Sequence, residues 1–186
     1  MDEKKLIQKA LKDRESFSEI VSLYYKEIFK YIYRRTLVKE LSKDLTQETF
    51  LRALKYLPSY KGKSLFIFWL LRIATNVIND HFRKEINENT FLKTTSNTYL
   101  NEQDSPEDQI DYEFIHKCMS KLSLREQAVI TLIFFEHKNI KDAAFIIGKT
   151  ANAMRRLYYR ALIDLKKEIK KKCNNFWKTW VLYIGR

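Results

Sequence analysis

The chain has 186 residues, and 35 Lys and Arg against 23 Asp and Glu give it a formal net charge of +12. Three Gly and two Pro argue against a turn-rich β-sandwich or barrel and for long helices. The longest apolar runs, such as 65–71, fall far short of the roughly 20 residues of a membrane span, and the first residues carry no secretion signal. Two cysteines are too few for a disulfide scaffold. We therefore expect a cytoplasmic helical protein in which Cys118 and Cys173 are reduced.

The charge is unevenly distributed along the chain. Residues 1–86 carry 18 basic and 11 acidic groups, for a net charge of +7, whereas residues 87–113 have a net charge of −6. Residues 114–186 carry 16 basic and 5 acidic groups, for +11. Two basic blocks on either side of an acidic one favour two polyanion-binding modules joined by a linker. A pair of solvated helical surfaces would carry the same charges, so charge alone leaves both interpretations open.

The acidic segment lacks the periodic apolar spacing of the chain on either side of it. Residues 87–112 are rich in Asn, Thr and Ser, which is typical of a linker. Fully extended, this segment spans roughly 85 Å at about 3.3 Å per residue, which exceeds two turns of duplex DNA. The sequence thus predicts an all-α fold in four parts: a helical bundle at 1–86, a flexible acidic linker at 87–112, a helix-turn-helix domain at 113–172 and an aromatic extension at 173–186.

In the first domain, apolar spacing predicts two helices within residues 6–32 and a third helix after them. The third helix has an apolar stripe that should face the core, made of Leu41, Leu45, Thr49, Ala53 and Leu57, with Phe50 and Leu54 beside it. Asp44, Gln47, Glu48 and Leu51 recur at i, i+3, i+4 and i+7, so they share the opposite side. In a basic protein, this acidic and amide surface favours a protein-docking patch, with an ordinary solvated face as the alternative.

The next helix, after the turn at 58–64, is the most aromatic one. Its predicted core stripe consists of Phe66, Leu70, Ile73, Val77 and His81. Its other face should form a ridge of Trp69, Arg72, Asn76, Asp80 and Arg83. Such a ridge suits unpaired DNA, because an indole stacks on a base, amide and carboxylate groups read base edges, and guanidinium groups hold phosphate. Alternatively, Trp69 is a core residue, which is more usual for Trp.

The second domain carries a helix-turn-helix pattern. Residues 123–126 form a capping box, which opens a helix that is apolar nearly all round and should be buried. Ala143 and Ala144 permit a close helix crossing, and Gly148 permits a left-handed turn into the next helix.

That next helix is predicted to be the recognition helix. Its inward face is predicted to consist of Met154, Leu157, Tyr158, Ala161 and Leu165. Asn152, Arg155, Arg156 and Tyr159 face outward near its start, where a recognition helix contacts bases, while Lys149 and Arg160 are better placed for phosphates. A plain three-helix bundle with a basic surface is the alternative.

In this order the segments resemble the extracytoplasmic-function (ECF) sigma factors, the two-domain subgroup of the bacterial sigma-70 family. Residues 44–53 resemble region 2.2, residues 68–83 resemble regions 2.3 and 2.4, and residues 122–165 resemble the helix-turn-helix of region 4. The resemblance extends over about residues 5–170. Either domain alone would be suggestive, whereas both in the correct order are highly specific.

The resemblance implies a promoter-specificity subunit with no catalysis, metal or cofactor of its own. The implied partners are the β′ clamp helices and β flap of bacterial core RNA polymerase, promoter DNA and an anti-sigma factor, with no small-molecule substrate. Residues implied to dock on core polymerase are Asp44, Gln47, Glu48 and Leu51. Residues implied to melt and read the −10 element, around a pocket for a flipped base, are Tyr60, Lys61, Lys63, Trp69, Arg72, Asn76, Asp80 and Arg83. Residues implied to bind the −35 element are Lys149, Thr150, Asn152, Arg155, Arg156, Tyr159 and Arg160.

Two features depart from the family pattern. Residues 153–157 read Ala-Met-Arg-Arg-Leu where the family commonly has Thr-Val-Lys-Ser-Arg, so the bases read at −35 do not carry over. The extension also continues past the usual end of region 4. Its Phe176, Trp180 and Tyr183 share a helical face that would pack on region 4, hold a regulatory partner or touch a membrane surface.

The alternative to a sigma factor is a stand-alone helix-turn-helix regulator. Such a protein would bind a palindromic duplex as a symmetric dimer, without polymerase. It would have no need of the 44–51 surface or of the Trp69–Arg83 ridge, so these two features favour the sigma factor. An adaptor that binds only protein is disfavoured by the basic outer face of the last domain.

Overall fold

The computed structural model of the chain describes residues 3–62, 64–91 and 114–172. Within these ranges the regular structure is entirely helical, and the contacts divide it into two compact units, centred on the helices before and after the gap. The predicted all-α, two-domain fold is therefore confirmed. In the described ranges, no helix combines the length and the apolar character that crossing a bilayer requires. The extension at 173–186, with its aromatic face, lies outside the described residues.

In the N-terminal unit, the described residues up to Phe91 form four helices and one short 3-10 turn. They are α1 (Glu3–Lys12), α2 (Phe17–Thr36), α3 (Lys39–Tyr56), the 3-10 turn Leu57–Ser59 and α4 (Phe66–Phe91). Helix α2 packs against α1, α3 and α4, and α3 also packs against α4. The predicted spacing is confirmed by Ile20, Ile28 and Ile32, which are fully buried. A buried hydrogen bond of 2.8 Å joins the hydroxyls of Tyr31 on α2 and Thr75 on α4, so these two polar groups are paired across helices.

Local signals fix where α2 begins and ends. Before it, the Asp13 carboxylate accepts hydrogen bonds from the hydroxyl of Ser16 at 2.6 Å and from its backbone N–H at 3.2 Å. These bonds lower the pKa of Asp13. After α2, Leu37 adopts a left-handed φ of 54°, and its N–H donates a hydrogen bond to the carbonyl of Tyr33. That conformation costs roughly 1–2 kcal/mol for a residue with a Cβ, and it turns the chain into α3 within two residues.

Helix α4 differs in two ways from the sequence prediction. Of the predicted core stripe, Phe66, Leu70 and Val77 are buried, but Ile73 and His81 are only half-buried. The residues that complete the buried face are Leu71, Ala74, Thr75 and Ile78. The buried face of α4 is thus displaced toward these positions and is wider than predicted. Helix α4 packs against both α2 and α3, so a broader stripe of its surface must be apolar. The helix also continues to Phe91, past the predicted domain boundary at residue 86.

Residues 114–172, most of which belong to the C-terminal unit, contain the remaining described helices. They are the helical residues 114–119 (α5), α6 (Leu124–Ile130), a π-helical turn Thr131–Phe135 that continues α6, α7 (Ile140–Ile147) and α8 (Ala151–Lys172). Helix α6 packs against α8. A hydrophobic cluster joins α5, α6 and α8 and includes Cys118, Ile130, Ala161 and Leu165, with Phe134 and Phe135 packed against it.

The start of α6 follows the sequence prediction closely. Ser123 has extended backbone, its hydroxyl accepts from the N–H of Glu126, and the Glu126 carboxylate accepts from the N–H of Ser123 at 3.0 Å. The predicted capping box is therefore confirmed. Burial is also as predicted at Ala128, Val129 and Ile130.

Candidate nucleic-acid and protein interfaces

Helix α3 has one buried and one exposed side. Leu45, Thr49 and Ala53 are buried, and the Thr49 hydroxyl donates to the carbonyl of Leu45 at 2.7 Å, so its polar atom is satisfied inside the core. On the opposite side Leu51 is 64% exposed. The other members of the predicted docking patch also lie on this side, Asp44 and Gln47 exposed and Glu48 half-buried. The predicted separation of the two faces is therefore confirmed, although their binding role stays a prediction.

A chain of charges connects α3 to α4. Arg52 donates from Nε to Glu48 Oε1 at 2.7 Å and from Nη1 to Asp80 Oδ2 at 2.8 Å. The Asp80 carboxylate also lies 3.8 Å from Nη1 of Arg83. The two hydrogen bonds to carboxylates raise the pKa of Arg52. Asp80, predicted as a base reader, is thus already engaged by two guanidinium groups.

The rest of the α4 ridge divides into exposed polar groups and one packed aromatic. Arg72 and Asn76 are exposed, as is Arg83, whereas Trp69 is half-buried. The Trp69 ring lies 5.4 Å from that of Tyr60 and 5.2 Å from that of Phe66, measured between centroids. Trp69 therefore packs in an aromatic cluster and keeps part of its surface accessible, while its stacking on a DNA base stays a prediction.

The turn before α4 is closed by Tyr60. Its hydroxyl donates to the carbonyl of Ser64 at 2.6 Å, and partial burial raises the pKa of this hydroxyl. Gly62 has φ +65°, a conformation that other residues rarely adopt. Lys61 and Gly62 are exposed, and Lys63 lies outside the described residues. The predicted turn therefore presents an exposed backbone beside the aromatic cluster.

The helix-turn-helix is formed by α7 and α8. Gly148, between them, has φ +73°, and the N–H of Lys149 bonds the carbonyl of Ala144 at 2.8 Å. Ala143 and Ala144 are buried, whereas the close helix crossing that these small residues would permit stays a prediction. Thr150 then opens α8, since its hydroxyl accepts from the N–H of Ala153 at 3.3 Å.

Helix α8 turns a row of basic side chains outward. Met154, Ala161 and Leu165 are fully buried, which fixes the rotation of the helix. The residues predicted to bind the −35 element are all exposed, namely Lys149, Thr150, Asn152, Arg155, Arg156, Tyr159 and Arg160. Arg155 Nη1 donates to Asn152 Oδ1 at 3.0 Å, and the amide is a neutral partner.

Known families match both units. The family model of Sigma-70 region 2 matches residues 20–86, and that of Sigma-70 region 4 matches residues 113–165. RNA polymerase sigma factor YlaC of Bacillus subtilis is 30% identical over 87% of this chain and 96% of its own length. ECF RNA polymerase sigma factor BldN of Streptomyces coelicolor is also 30% identical, over 83% of this chain and 61% of its own length.

The chain belongs to the ECF sigma factors. A solved structure of the sigma factor RpoE of Bartonella quintana, in complex with the anti-sigma factor NepR, shares the fold with a TM-score of 0.68 and 20% identity. The alignment covers 86% of this sigma factor and 99% of RpoE. The predicted family, fold and function as an RNA polymerase sigma factor are thereby confirmed, and the stand-alone regulator is not favoured.

Sequence reasoning missed one feature of this sigma factor. In the C-terminal unit a cavity of about 380 Å³ is lined by Ser123, Arg125, Lys149, Ala153, Arg156, Leu157 and Arg160. Three of its basic residues belong to the predicted −35 set, but Arg125 comes from α6 and was read only as part of the capping box. Helix α6 was assigned to the core as a whole, so its exposed first turn was overlooked.

Proposed function

We propose that this sigma factor recruits core RNA polymerase through the exposed side of α3, melts and reads the −10 element with α4, and binds the −35 element with α8. The observation that carries the proposal is the exposure of the whole predicted −35 set on α8, in a unit that matches Sigma-70 region 4. The other two assignments rest on the faces of α3 and α4 within the region 2 match.

Docking on the polymerase is supported by the chemistry of the α3 side. Leu51 offers an apolar anchor that water surrounds in the free protein, and Asp44 and Gln47 beside it are exposed. An apolar centre with a polar rim is the usual make-up of a protein interface. The proposed contacts are with the β′ clamp helices, and those of the C-terminal unit are with the β flap.

Recognition of the −10 element is supported by the aromatic cluster next to exposed donors. Trp69, held by Tyr60 and Phe66, provides a rigid ring on which an unpaired base can stack. Arg72 and Asn76 lie on the same ridge and are exposed. Extruding a base costs a few kcal/mol of unstacking, which this stacking and hydrogen bonding would offset. Lys61 and Lys63 would contribute phosphate contacts, while Asp80 would orient Arg83.

Binding of the −35 element is supported by the position of the guanidinium groups. Arg155 and Arg156 lie in the first turns of α8, the part of a recognition helix that reaches base edges. A guanidinium pairs with two acceptors of guanine at once. Thr150, Asn152 and Tyr159 would add polar contacts, and Lys149 and Arg160 would hold phosphates.

We further propose that this sigma factor is regulated and acts in the cytoplasm. The polymerase, not the sigma factor, would carry out nucleotidyl transfer. Its domains would be 1–86, 113–172, the linker between them and the extension 173–186. The likeness to a sigma factor crystallised with an anti-sigma factor supports a similar partner here.

The test is to mix the full-length protein with bacterial core RNA polymerase, isolate the complex and run transcription from genomic fragments. We expect a stable complex that starts transcripts at new, discrete sites, and mapping those starts would give the promoter. Salt-sensitive binding of duplex DNA without any association with core polymerase would overturn the proposal.

A further inference from the structure

The guanidinium of Arg52 bridges two carboxylates on different helices of the N-terminal unit. Arg52 is half-buried on α3, where its Nε donates to Glu48 Oε1 at 2.7 Å and its Nη1 donates to Asp80 Oδ2 at 2.8 Å. Asp80 belongs to α4, 28 positions further along the chain, so the second bond joins the two helices. Arg52 itself was assigned to neither the docking patch nor the α4 ridge.

The Asp80 carboxylate is shared unequally between two guanidinium groups. Its Oδ2 accepts the hydrogen bond from Arg52, whereas its Oδ1 lies 3.8 Å from Nη1 of Arg83, which is too long for a hydrogen bond. The Arg83 side chain is 59% exposed, against 32% for that of Arg52. Arg52 therefore makes the closer and better fixed of the two contacts with Asp80.

The charge of Asp80 matters because of its place on the α4 ridge. Asp80 follows Asn76 by four residues and precedes Arg83 by three, and its side chain is 41% exposed. Without Arg52, the chain of ion pairs would hold two carboxylates against one guanidinium, and the exposed carboxylate would repel the phosphates of a bound strand. Ion pairs with this exposure contribute little to folding stability, so the effect on Asp80 is the larger consequence of the bond.

We propose that Arg52 is a positioning residue for recognition of the −10 element, which acts by neutralising Asp80 and fixing it beside Arg83. The assignment rests on the proposed function, since that function places the α4 ridge on the −10 element. It also changes the role predicted for Asp80, because a carboxylate held by Arg52 serves as an anchor for Arg83 rather than as a reader of base edges.

The first experiment compares Arg52→Ala with the double variant Arg52→Ala/Asp80→Asn. Open-complex formation is measured on a duplex promoter mapped with the wild type, using the full-length protein and saturating core polymerase, so that weaker docking does not contribute. We expect Arg52→Ala to slow it by about tenfold, and the double variant to recover to within about threefold of the wild type, because the unneutralised carboxylate is gone. An equally large defect in the double variant would overturn the proposal.

The matched control for this comparison is Lys9→Ala. Lys9 on α1 also forms an ion pair between two helices of the same unit, at 2.7 Å from Glu19 on α2, and it belongs to none of the proposed interfaces. Its loss should leave open-complex formation within about twofold of the wild type. A defect as large as that of Arg52→Ala would show that loss of any ion pair between helices suffices, and the proposal would be wrong.

The salt dependence of the defect separates charge from folding. Salt screens the repulsion between an exposed carboxylate and phosphate, so the ratio of wild-type to Arg52→Ala rates should fall toward one as salt increases. A ratio that does not change with salt would contradict the proposal. Thermal melts verify the fold, and if Arg52→Ala melts well below the wild type, the uncharged Arg52→Gln, whose amide can still donate to Glu48, is tested for recovery with Asp80→Asn in the same way.

The two proposals fail in different ways. A wild-type protein that directs no transcription with core polymerase would overturn the proposed function and, with it, this role of Arg52. A wild-type protein that directs transcription, together with an Arg52→Ala defect that Asp80→Asn does not repair, would overturn the role of Arg52 alone.

Discussion

The two units differ in how their surface charges are balanced. In the N-terminal unit, charges of opposite sign alternate from α3 to α4, where Glu48, Arg52, Asp80 and Arg83 form a continuous chain of ion pairs. On the proposed DNA-binding side of the C-terminal unit, the described side-chain contact of Arg155 is a hydrogen bond to an amide, and cations line the cavity. The surface from α3 to α4 is therefore balanced internally, although residues 1–86 keep a net charge of +7, whereas the start of α8 presents cations with which an external anion can pair.

This difference in charge balance favours recognition by stacking in the N-terminal unit and recognition by charge in the C-terminal unit. Internally paired charges gain little from phosphate, so the proposed recognition of the −10 element by the N-terminal unit would depend on stacking at Trp69 more than on the charges of the α3–α4 surface. Unbalanced cations release counterions when they bind DNA, and this makes binding strongly salt-dependent. We infer that most of the salt dependence of promoter binding arises in the C-terminal unit.

The largest expected effect comes from the exposed guanidinium groups of α8. Replacing both Arg155 and Arg156 by Ala should lower promoter-specific transcription on the order of 100-fold or more, since each base contact contributes about 1–3 kcal/mol. Association with core polymerase should not change. The measurements are run-off transcription and co-purification.

The control for this pair removes two positive charges further along the same helix, as Lys167→Ala with Lys171→Ala. Both lysines are exposed and pair with acids three residues earlier. If the control lost as much transcription as the Arg155 and Arg156 variant, the effect would be one of net charge, and the assignment of the recognition helix would be wrong.

Reversing a charge on α3 should have the next largest effect. Glu48→Lys removes the partner of Arg52 and places a cation in the proposed docking patch, so affinity for core polymerase should fall by about tenfold or more. Glu40→Lys is the matched control, because Glu40 lies on the first turn of the same helix, exposed and paired with Lys43. Fluorescence titration with labelled protein measures both affinities, and equal values would remove the docking assignment.

Trp69→Ala tests whether the Trp69 ring stacks on an unpaired base of the −10 element. We expect about tenfold less transcription from duplex templates, consistent with the stacking energy of one base, and recovery on a template that is already melted around −10. Tyr56→Ala removes a half-exposed aromatic at the end of α3 and should affect neither template. A Trp69→Ala defect of the same size on both templates would assign this ring to packing rather than to melting.

The smallest effect concerns acid stability. The pKa of Asp13 is lowered from its usual 3.8, first by the Ser16 hydroxyl, so its contribution to stability is present above that value and is lost as pH falls through the folded-state pKa. Asp13→Asn should therefore melt slightly below the wild type at neutral pH, with a difference that shrinks in acid. Thermal melts across the pH range measure this, and a difference independent of pH would exclude ionisation as its cause.

Several features could be predicted because they depend on neighbours in sequence. The two faces of α3, the Ser123–Glu126 cap and the turn at Gly148 all follow from residues at most a few turns apart. The π-helical turn at 131–135 could not be predicted in this way. There the N–H of Glu136 bonds the carbonyl of Thr131, and consecutive Phe134 and Phe135 both pack on the core cluster. That arrangement depends on α5 and α8, which supply the cluster.

For the candidate sites too, the sequence predicts which residues share a helix face but not which residues meet between helices. The predicted row on α8 is exposed at every residue, and the rows on α3 and α4 are exposed except at half-buried Glu48, Trp69 and Asp80, because helical periodicity fixes which side chains share a face. The pairing of Asp80 with Arg52 joins residues 28 positions apart, and Arg125 meets Arg156 and Arg160 only across the packing of α6 on α8. No periodic signal in either helix indicates such a meeting.

The sequence by itself determined the helical class, the two-domain order, the family and the faces of α3 and α8, since these follow from local spacing and from motifs. Tertiary structure decided which charges are neutralised within the molecule and which stay available to a partner. The physical reason is that helix periodicity acts over a few residues, whereas electrostatic balance depends on distances between helices, which only their packing sets.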